Sequence, residues 1–482
     1  MVLSLLFGTS RREWERRLER LRDAEKQLIK LSSRFDGDNL PSGFSLRQTD
    51  TEIPSSILPF KHDPPSQEFD VNPSDVPTML RIHGIEVQSP SAEYKTPLVM
   101  LHGYMNGCAY YYRNWNGLSR FFANIHCLDL LGWGQSSRPR YDLKDDSVET
   151  SESFFVESLE AWRSKRCVDK MVLAGHSMGG YLAVAYTERY PERVEKLILI
   201  SPVGVPIESE EIKSRRGAGF SVRRSIFSAL FESGVNPCSA LRAGPEGQGS
   251  KIFTSWTDQH MMGSPMEEKA VVKDYLYANC ILPGSGDHCL SRLLTMHAYA
   301  RKPTLHRIPN LRVNSVSFLY GATDWMDPRW ALDVKRICQE QRSGMSRGQS
   351  EEKFQRDGDQ DQNKKQNKKQ TDQQNLNQDS LQDSSHGSKQ ESDCLPPTVS
   401  VYRVQDAGHM LLMENWREFN AGMIKAIVAG STDHRNVGGR LGDGTSSSGN
   451  GQGRSQGGQT SGSVSASVPS SSFSETEFPV EL

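Results

Sequence analysis

Ser177 is the residue of this sequence with the clearest potential for chemistry. It is the central residue of a G-x-S-x-G motif at residues 175–179, which directly follows an apolar run and precedes an apolar, helix-forming stretch. When a strand turns sharply into a helix with a serine at the apex, the hydroxyl is exposed as a nucleophile. The small residues two positions before and after the serine let the strand and helix backbones approach closely. The motif therefore predicts a nucleophilic serine.

A base and an acid that could activate this serine follow later in the chain. A serine hydroxyl becomes an effective nucleophile when a base removes its proton, and the base needs a carboxylate to fix its tautomer and stabilise its cation. His409 and Asp324 each come just after a predicted strand, as Ser177 does, so all three are expected at one edge of a parallel sheet. Asp327 is the alternative acid, and Asp324 is preferred because it lies closer to the end of its strand.

The segment 102–107 is predicted to bind the negative charge that develops on an attacked carbonyl. It places a glycine-bearing turn at the carboxyl end of a buried strand. We expect the backbone N–H of Tyr104 to act together with that of Met178 as an oxyanion hole. His102 is interpreted as a structural part of this turn rather than as a base.

Strands that alternate with helical stretches predict an α/β fold, with a mostly parallel central sheet and helices on both faces. The alternation lapses at about residues 203–309, where aromatic residues and methionines accumulate. This segment is interpreted as an inserted helical cap whose apolar roof would suit an acyl chain, or as an ordinary helical subdomain packed around its own core. Its histidines lack the spacing of metal ligands, and no metal site is predicted. The predicted strands are residues 79–82, 96–101, 125–129, 171–174, 194–200, 316–321 and 398–404.

An amphipathic helix is predicted within residues 1–35, because Leu18, Leu21, Leu28 and Leu31 recur at helical spacing. Its other face mixes basic and acidic side chains. The helix is interpreted either as an element that lies on a membrane surface or as a helix packed on the core or in a short coiled coil.

The other segments are assigned by composition. Runs rich in Pro, Ser and Asp predict a linker, and long polar runs with almost no apolar residues predict disorder, because they cannot bury enough surface to fold. The predicted divisions are a linker at 36–75, a folded domain at 76–338 and 396–430, a disordered insertion at 339–395 and a disordered tail at 431–482.

Bulk composition excludes few functions. The chain of 482 residues has a formal net charge of −2, which gives no reason to expect a nucleic-acid partner. Its eight cysteines are scattered without a C-x-x-C pair, which favours free thiols in a reducing compartment. No apolar run is long enough to predict a membrane-spanning helix.

Four runs of the sequence together resemble one lipid-acting branch of the α/β-hydrolase family. They are residues 102–104 (HGY), 129–139 (DLLGWGQSSRP), 160–163 (EAWR) and 175–180 (GHSMGG). The branch includes the animal lipid-droplet lipase co-activator, N-acylphosphatidylethanolamine lipases and fungal mitochondrial cardiolipin deacylases. The resemblance implies an α/β-hydrolase fold over most of residues 79–428, apart from the insertion. The order serine, aspartate, histidine along the chain is also that of the family's catalytic triad.

The resemblance leaves the acceptor of the acyl group open. Relatives carry a histidine and an aspartate separated by four residues, a motif linked in the family to lysophosphatidic acid acyltransferase activity. Here Glu414 stands where the relatives have the aspartate that follows the histidine. Glutamate keeps the negative charge, but its longer side chain places the carboxylate at a different distance from the backbone. The favoured interpretation is that His409 serves the triad and Glu414 begins a helix. Some members of the branch lack the serine and act as co-activators, whereas this chain retains Ser177.

We therefore expect a serine acyl hydrolase that acts on glycerophospholipid or lysophospholipid esters. The alternatives are a lysophosphatidic acid acyltransferase that uses acyl-CoA and a lipid-surface co-activator of another lipase. Hydrolysis by this mechanism requires no metal or organic cofactor. The expected partner is a phospholipid of a membrane or lipid droplet, contacted through the N-terminal helix and the cap. The expected location is intracellular and peripheral to a membrane, with the mitochondrion and the lipid droplet as candidate compartments.

Overall fold

The fold is seen in a computed structural model of the chain. It describes residues 11–38, 40–59, 78–139, 147–208, 229–233, 235–243, 246–282, 286–295, 297–344 and 395–428.

An eight-stranded sheet forms the centre of the fold, with strand order β1-β2-β4-β3-β5-β6-β7-β8. Strands β3 to β8 pair in parallel, while β2 runs antiparallel to both β1 and β4. Every residue of β3, β5 and β7 is buried, as expected where helices cover both faces of a sheet. The predicted α/β class and mostly parallel sheet are confirmed. The strands are β1 Ser45–Pro54, β2 Met79–Gln88, β3 Leu98–Leu101, β4 Asn124–Leu128, β5 Met171–His176, β6 Val194–Ile200, β7 Ser315–Gly321 and β8 Thr398–Val404.

Helices connect and cover these strands. Helix α4 packs on β5 and β6, and α11 packs on β7 and β8. Helices α5 to α8 lie between β6 and β7 along the chain, in the segment predicted as a cap. The helices are α1 Arg11–Ser32, α2 Trp115–Leu118, α3 Val148–Lys165, α4 Met178–Arg189, α5 Pro237–Ala243, α6 Glu246–His260, α7 Met266–Ile281, α8 Leu290–Leu293, α9 residues 329–344, α10 Leu411–Glu414 and α11 Trp416–Val428.

Strand β1 corrects the prediction that residues 36–75 form a linker. It pairs with β2 along its whole length, from Ser45 opposite Gln88 to Pro54 opposite Met79. Only Thr51 and Ile53 of this strand are buried, because it lies at the edge of the sheet. An edge strand with so few buried positions carries little apolar alternation, which is why the sequence did not reveal it. Residues 60–77 of the predicted linker lie outside the described residues.

Helix α1 packs against the rest of the protein, which supports the interpretation of a helix packed on the core over that of a helix on a membrane surface. Leu21 and Leu28 are completely buried, and the helix lies against α7. Two arginines fix it there: Arg17 donates to the carbonyl of Ile281 at 2.7 Å, and Arg20 pairs with Asp274. The apolar stripe is thus part of the core. Among the described residues, no helix combines the length and apolar content needed to cross a bilayer.

The predicted insertion begins later than expected. Helix α9 continues to residue 344, so the proposed boundary at residue 339 is wrong. Buried apolar positions of this helix, among them Ala331, Val334 and Cys338, hold it on the domain. Residues 345–394 of the predicted insertion and the predicted tail at 431–482 lie outside the described residues.

Candidate active site

Ser177 lies in the turn that joins β5 to α4. Its φ of 54° and ψ of −116° are strained for a residue with a side chain, and such strain is typical of functional positions. A Cβ on Gly175 would collide with the backbone of Gly179, and one on Gly179 would collide with the carbonyl oxygen of Leu101. The two glycines of the motif are therefore required by the close approach of β5, α4 and β3.

The structure brings Ser177, His409 and Asp324 together. His409 Nε2 lies 3.1 Å from the hydroxyl oxygen of Ser177, and His409 Nδ1 lies 3.1 Å from Oδ1 of Asp324. With the proton on Nδ1, His409 donates to the carboxylate and presents Nε2 as the acceptor for the serine proton. This is the geometry of a serine nucleophile, a general base and an orienting acid.

Asp324 is held as a charged acceptor beneath the histidine. Its side chain is fully buried, and burial alone would raise its pKa, but hydrogen bonds from His409 and Ser201 and the backbone N–H of Met326 together lower the pKa below the usual value. Ser201 Oγ donates to Oδ2, which leaves Oδ1 for the histidine. Ser201 follows β6 and was missed by the sequence reasoning, because no motif marks it.

The loops that carry the acid and the base are joined to each other. Thr323 N–H donates to the carbonyl of Ala407 at 2.9 Å. A Cβ on Gly321, the last residue of β7, would collide with the carbonyl oxygen of Gly408. Asp324 and His409 therefore come from loops whose backbones are in direct contact, and their separation is fixed by main-chain packing.

His176 supports His409 from the other side. Its Nε2 lies 2.9 Å from the carbonyl oxygen of His409, and the two ring centroids are 5.0 Å apart. Burial, reinforced by the neighbouring His409, lowers the pKa of His176 to about 3. His176 is thus neutral at physiological pH and donates its N–H to the His409 carbonyl. The sequence reasoning assigned no role to this residue.

The turn after β3 lies directly beside the serine. A Cβ on Gly103 would come within 3.0 Å of the Ser177 Cβ. Met178 is the first residue of α4, and a backbone N–H at this position has no acceptor within its own helix. Tyr104 lies in the turn, with its ring edge-on to Trp133 and its hydroxyl 3.2 Å from Oδ1 of Asn236. The neighbourhood of the predicted oxyanion hole is therefore built around Ser177.

His102 holds this turn in place. Its Nδ1 lies 2.8 Å from the carbonyl oxygen of Gly103, and its Nε2 accepts from the N–H of Leu130 at 3.0 Å. Burial lowers the pKa of His102 to about 4, so the ring is neutral and can both donate and accept. Its contacts match the structural interpretation made from the sequence.

Comparison with known proteins places the chain in a family. The family described as alpha/beta hydrolase fold matches residues 96–261. The (lyso)-N-acylphosphatidylethanolamine lipase of Mus musculus is 34% identical over 249 residues, which cover 51% of this chain and 70% of that protein. The chain belongs to the α/β-hydrolase family. The resemblance to a lipid-acting branch of that family, seen in the sequence, is confirmed.

Two further relatives of this α/β hydrolase carry acyltransferase names. The 1-acylglycerol-3-phosphate O-acyltransferase ABHD5 of Rattus norvegicus is 37% identical over 245 residues, 50% of this chain and 68% of that protein. The 1-acylglycerol-3-phosphate O-acyltransferase of Arabidopsis thaliana is 34% identical over 246 residues, 50% of this chain. The match spans 58% of the length of the plant protein.

Asp327, the alternative acid, contacts Arg329. Both of its carboxylate oxygens contact the guanidinium of Arg329, and Oδ1 also accepts from the Arg329 backbone N–H at 2.9 Å. Burial tends to raise the pKa of Asp327, but these contacts with Arg329 lower it overall. The acid that contacts His409 in this α/β hydrolase is Asp324.

Glu414 contacts neither the histidine ring nor the serine. Its Oε2 accepts from the backbone N–H of Gly408, the residue before His409, and its Oε1 lies 2.7 Å from Nδ1 of His260 at the end of α6. Glu414 therefore joins the His409 loop to the segment predicted as a cap. The two residues of the possible acyltransferase motif, His409 and Glu414, have no direct side-chain contact, and the ring of His409 contacts Ser177 and Asp324 instead.

Trp325 is the exposed aromatic residue of the site. Its ring centroid lies 4.9 Å from that of His409, yet 62% of the residue is accessible to solvent. An indole in such a position can contact both a substrate and a lipid–water interface. Sequence reasoning missed it, although its place between Asp324 and Asp327 is a usable signal.

The two aspartates give a matched test of the acid. Asp324→Asn should lower kcat by about 10⁴-fold, because an amide at this position favours the wrong histidine tautomer. Asp327→Asn should change kcat by less than about twofold, since its contacts are with Arg329 at the surface. Steady-state kinetics with a soluble p-nitrophenyl ester measure both variants. A larger loss in Asp327→Asn than in Asp324→Asn would contradict the assignment.

Glu414 is expected to act by positioning the His409 loop. Glu414→Ala removes the acceptor for Gly408 N–H and should lower kcat by about tenfold, the cost of one charge-assisted hydrogen bond. Glu414→Gln keeps an acceptor oxygen and should retain most of kcat. His260→Ala affects only the cap contact and should change KM more than kcat. Equal kcat values for Glu414→Ala and wild type would exclude the positioning role.

Proposed function

We propose that this protein is a serine acyl hydrolase that acts on glycerophospholipid or lysophospholipid esters. The observation that carries the proposal is the continuous arrangement of Ser177, His409 and Asp324, with both connecting distances at 3.1 Å. The names of the relatives support a lipid ester as the substrate class.

The reaction would proceed in two halves. Ser177 Oγ attacks the ester carbonyl as its proton passes to His409 Nε2, and Asp324 stabilises the imidazolium. The N–H groups of Met178 and Tyr104 bind the oxyanion. Collapse of the tetrahedral intermediate expels the alcohol, which takes the proton from His409. Water, activated by the same histidine, then attacks the acyl-enzyme and releases the fatty acid.

Acyl transfer is the second candidate, because the same acyl-enzyme could pass its acyl group to the hydroxyl of a lysolipid instead of to water. Acyl-CoA would then be the donor. The acyltransferase names of two relatives favour this alternative. The contacts of Glu414 with Gly408 and His260 do not, since they leave no direct link from the carboxylate to His409.

The co-activator alternative would use the N-terminal helix and the cap as a lipid-facing surface. The apolar stripe of α1 is buried, which argues against this helix as the contact.

Exposed apolar residues are instead found near the site and on the cap: Trp325, Ile252, Met262 and Met266. Met262 follows by two residues His260, whose ring contacts Glu414. We propose that this surface meets the membrane or lipid droplet.

Loss of the nucleophile is the central test. Ser177→Ala should lower kcat towards phospholipid esters by about 10⁶-fold, as expected when a triad loses its serine. Ser164→Ala, an exposed serine of α3, serves as the matched control and should keep full activity. Unchanged turnover in Ser177→Ala would contradict the mechanism.

The fate of the acyl group is measured in the same assays. Labelled acyl-CoA with lysophosphatidic acid yields labelled free acid from a hydrolase and labelled diacyl product from a transferase. A cellular effect that survives Ser177→Ala would support the co-activator alternative.

Trp325 tests the lipid-facing surface. Trp325→Ala should lower activity on phospholipid vesicles by about tenfold or more, because an interfacial indole is lost, while hydrolysis of a soluble ester falls less. Val428→Ala, an exposed apolar residue at the end of α11, is the control. Vesicle sedimentation measures binding directly. Equal losses of activity on both substrates would show that Trp325 acts in the reaction itself and not in binding to the lipid surface.

A further inference from the structure

A second cluster of chemically capable side chains lies away from the triad. Glu25 of α1, His83 of β2, Cys108 of the turn after β3 and Asp129 of the loop after β4 each direct a ligand atom to one place. These four atoms all lie within 4.8 Å of one another, and none of the four residues is more than 4% exposed. Four distant segments of the chain thus meet in the buried interior.

The donor set suits a particular metal ion. It combines an imidazole nitrogen, a thiol sulfur and two carboxylates, which are the ligand types of tetrahedral Zn²⁺ sites. Asp129 Oδ1 accepts from Cys108 N–H at 2.6 Å and Oδ2 accepts from Gln135 N–H at 2.7 Å. A carboxylate oxygen has two lone pairs, so each of these atoms keeps one for a metal.

A second layer of hydrogen bonds orients two of the ligands. Asp50 Oδ1 lies 2.7 Å from His83 Nδ1, which turns Nε2 of the ring towards Glu25, 2.9 Å away. Gln48 Nε2 donates to Oε1 of Glu25 at 2.6 Å. A carboxylate behind a histidine is the usual support of a metal-bound imidazole.

We propose that Glu25, His83, Cys108 and Asp129 bind one Zn²⁺ ion in a structural site. The ion replaces the proton shared between His83 and Glu25 and the proton of the Cys108 thiol. Two protons leave as the dication enters, so the net charge of the buried cluster is unchanged. The ion fixes α1 to the sheet through Glu25. Since Leu130 N–H bonds to His102, it also stabilises the loop that supports the turn after β3.

Refolding tests the site, because a buried ion must enter as the protein folds. The full chain is unfolded with chelator, then refolded with Co²⁺ or Zn²⁺. We expect one ion per chain by elemental analysis, a thiolate-to-cobalt charge-transfer band in the near ultraviolet, and a higher Tm with zinc than with chelator. Cys108→Ser should abolish the band. Cys289→Ser, which removes an equally buried thiol outside the cluster, should leave it intact.

A substitution at the surface separates loss of the metal site from misfolding of the chain. Asp50 is half exposed, so Asp50→Asn is expected to fold, and it should weaken zinc affinity by about 10- to 100-fold, measured by competition with a chelating indicator. Absence of bound metal in the refolded wild-type chain would overturn the proposal and leave the cluster as a hydrogen-bonded ion network. Metal bound equally well by Cys108→Ser or by Asp50→Asn would also overturn it.

Discussion

The candidate active site depends on backbone segments that approach one another more closely than a side chain would permit. Gly175 and Gly179 let β5 and α4 fold back beside β3, and Gly321 lets the acid loop touch the histidine loop. These contacts are made by main-chain atoms, which move less than side chains. The distances from His409 to Ser177 and to Asp324 are thus consequences of how the strands end. The geometry of the three side chains is therefore set by main-chain packing at this edge of the sheet.

Local sequence predicted those parts of the site that are encoded locally. The glycine spacing around Ser177 reports a steric requirement within five residues, and the ends of apolar strands indicated Asp324 and His409. The sequence favours Asp324 over Asp327 because Asp324 lies closer to the end of its strand. In the structure the decisive difference is that Asp327 binds the guanidinium of Arg329, two residues further on. The contacts of Glu414 and Ser201 join distant segments, and no pattern within one segment reports them.

The same reasoning explains where the fold could be predicted and where it could not. Seven strands with several buried residues each were found, and six of them have bounds within two residues of those observed, whereas β2 continues to Gln88, six residues beyond its predicted end. Strand β1 was missed because two buried residues in ten leave almost no periodic signal. The leucine stripe of α1 was found, but its partner was not, since an apolar face is equally suited to a lipid surface and to a neighbouring helix. The Glu25–His83–Cys108–Asp129 cluster lacks sequence spacing for a similar reason, because each residue comes from a different element.

The docking of α1 has a consequence for biosynthesis. Arg17 contacts Ile281, 264 residues later, and Arg20 contacts Asp274, 254 residues later. At translation rates of about 5–20 residues per second, the partner helix leaves the ribosome roughly 13–50 s after α1. During that interval the side of α1 that packs on α7 lacks this partner on the nascent chain. Helix α1 is thus made well before the helix that covers one side of it, and chaperones that recognise apolar helices have that interval to bind it.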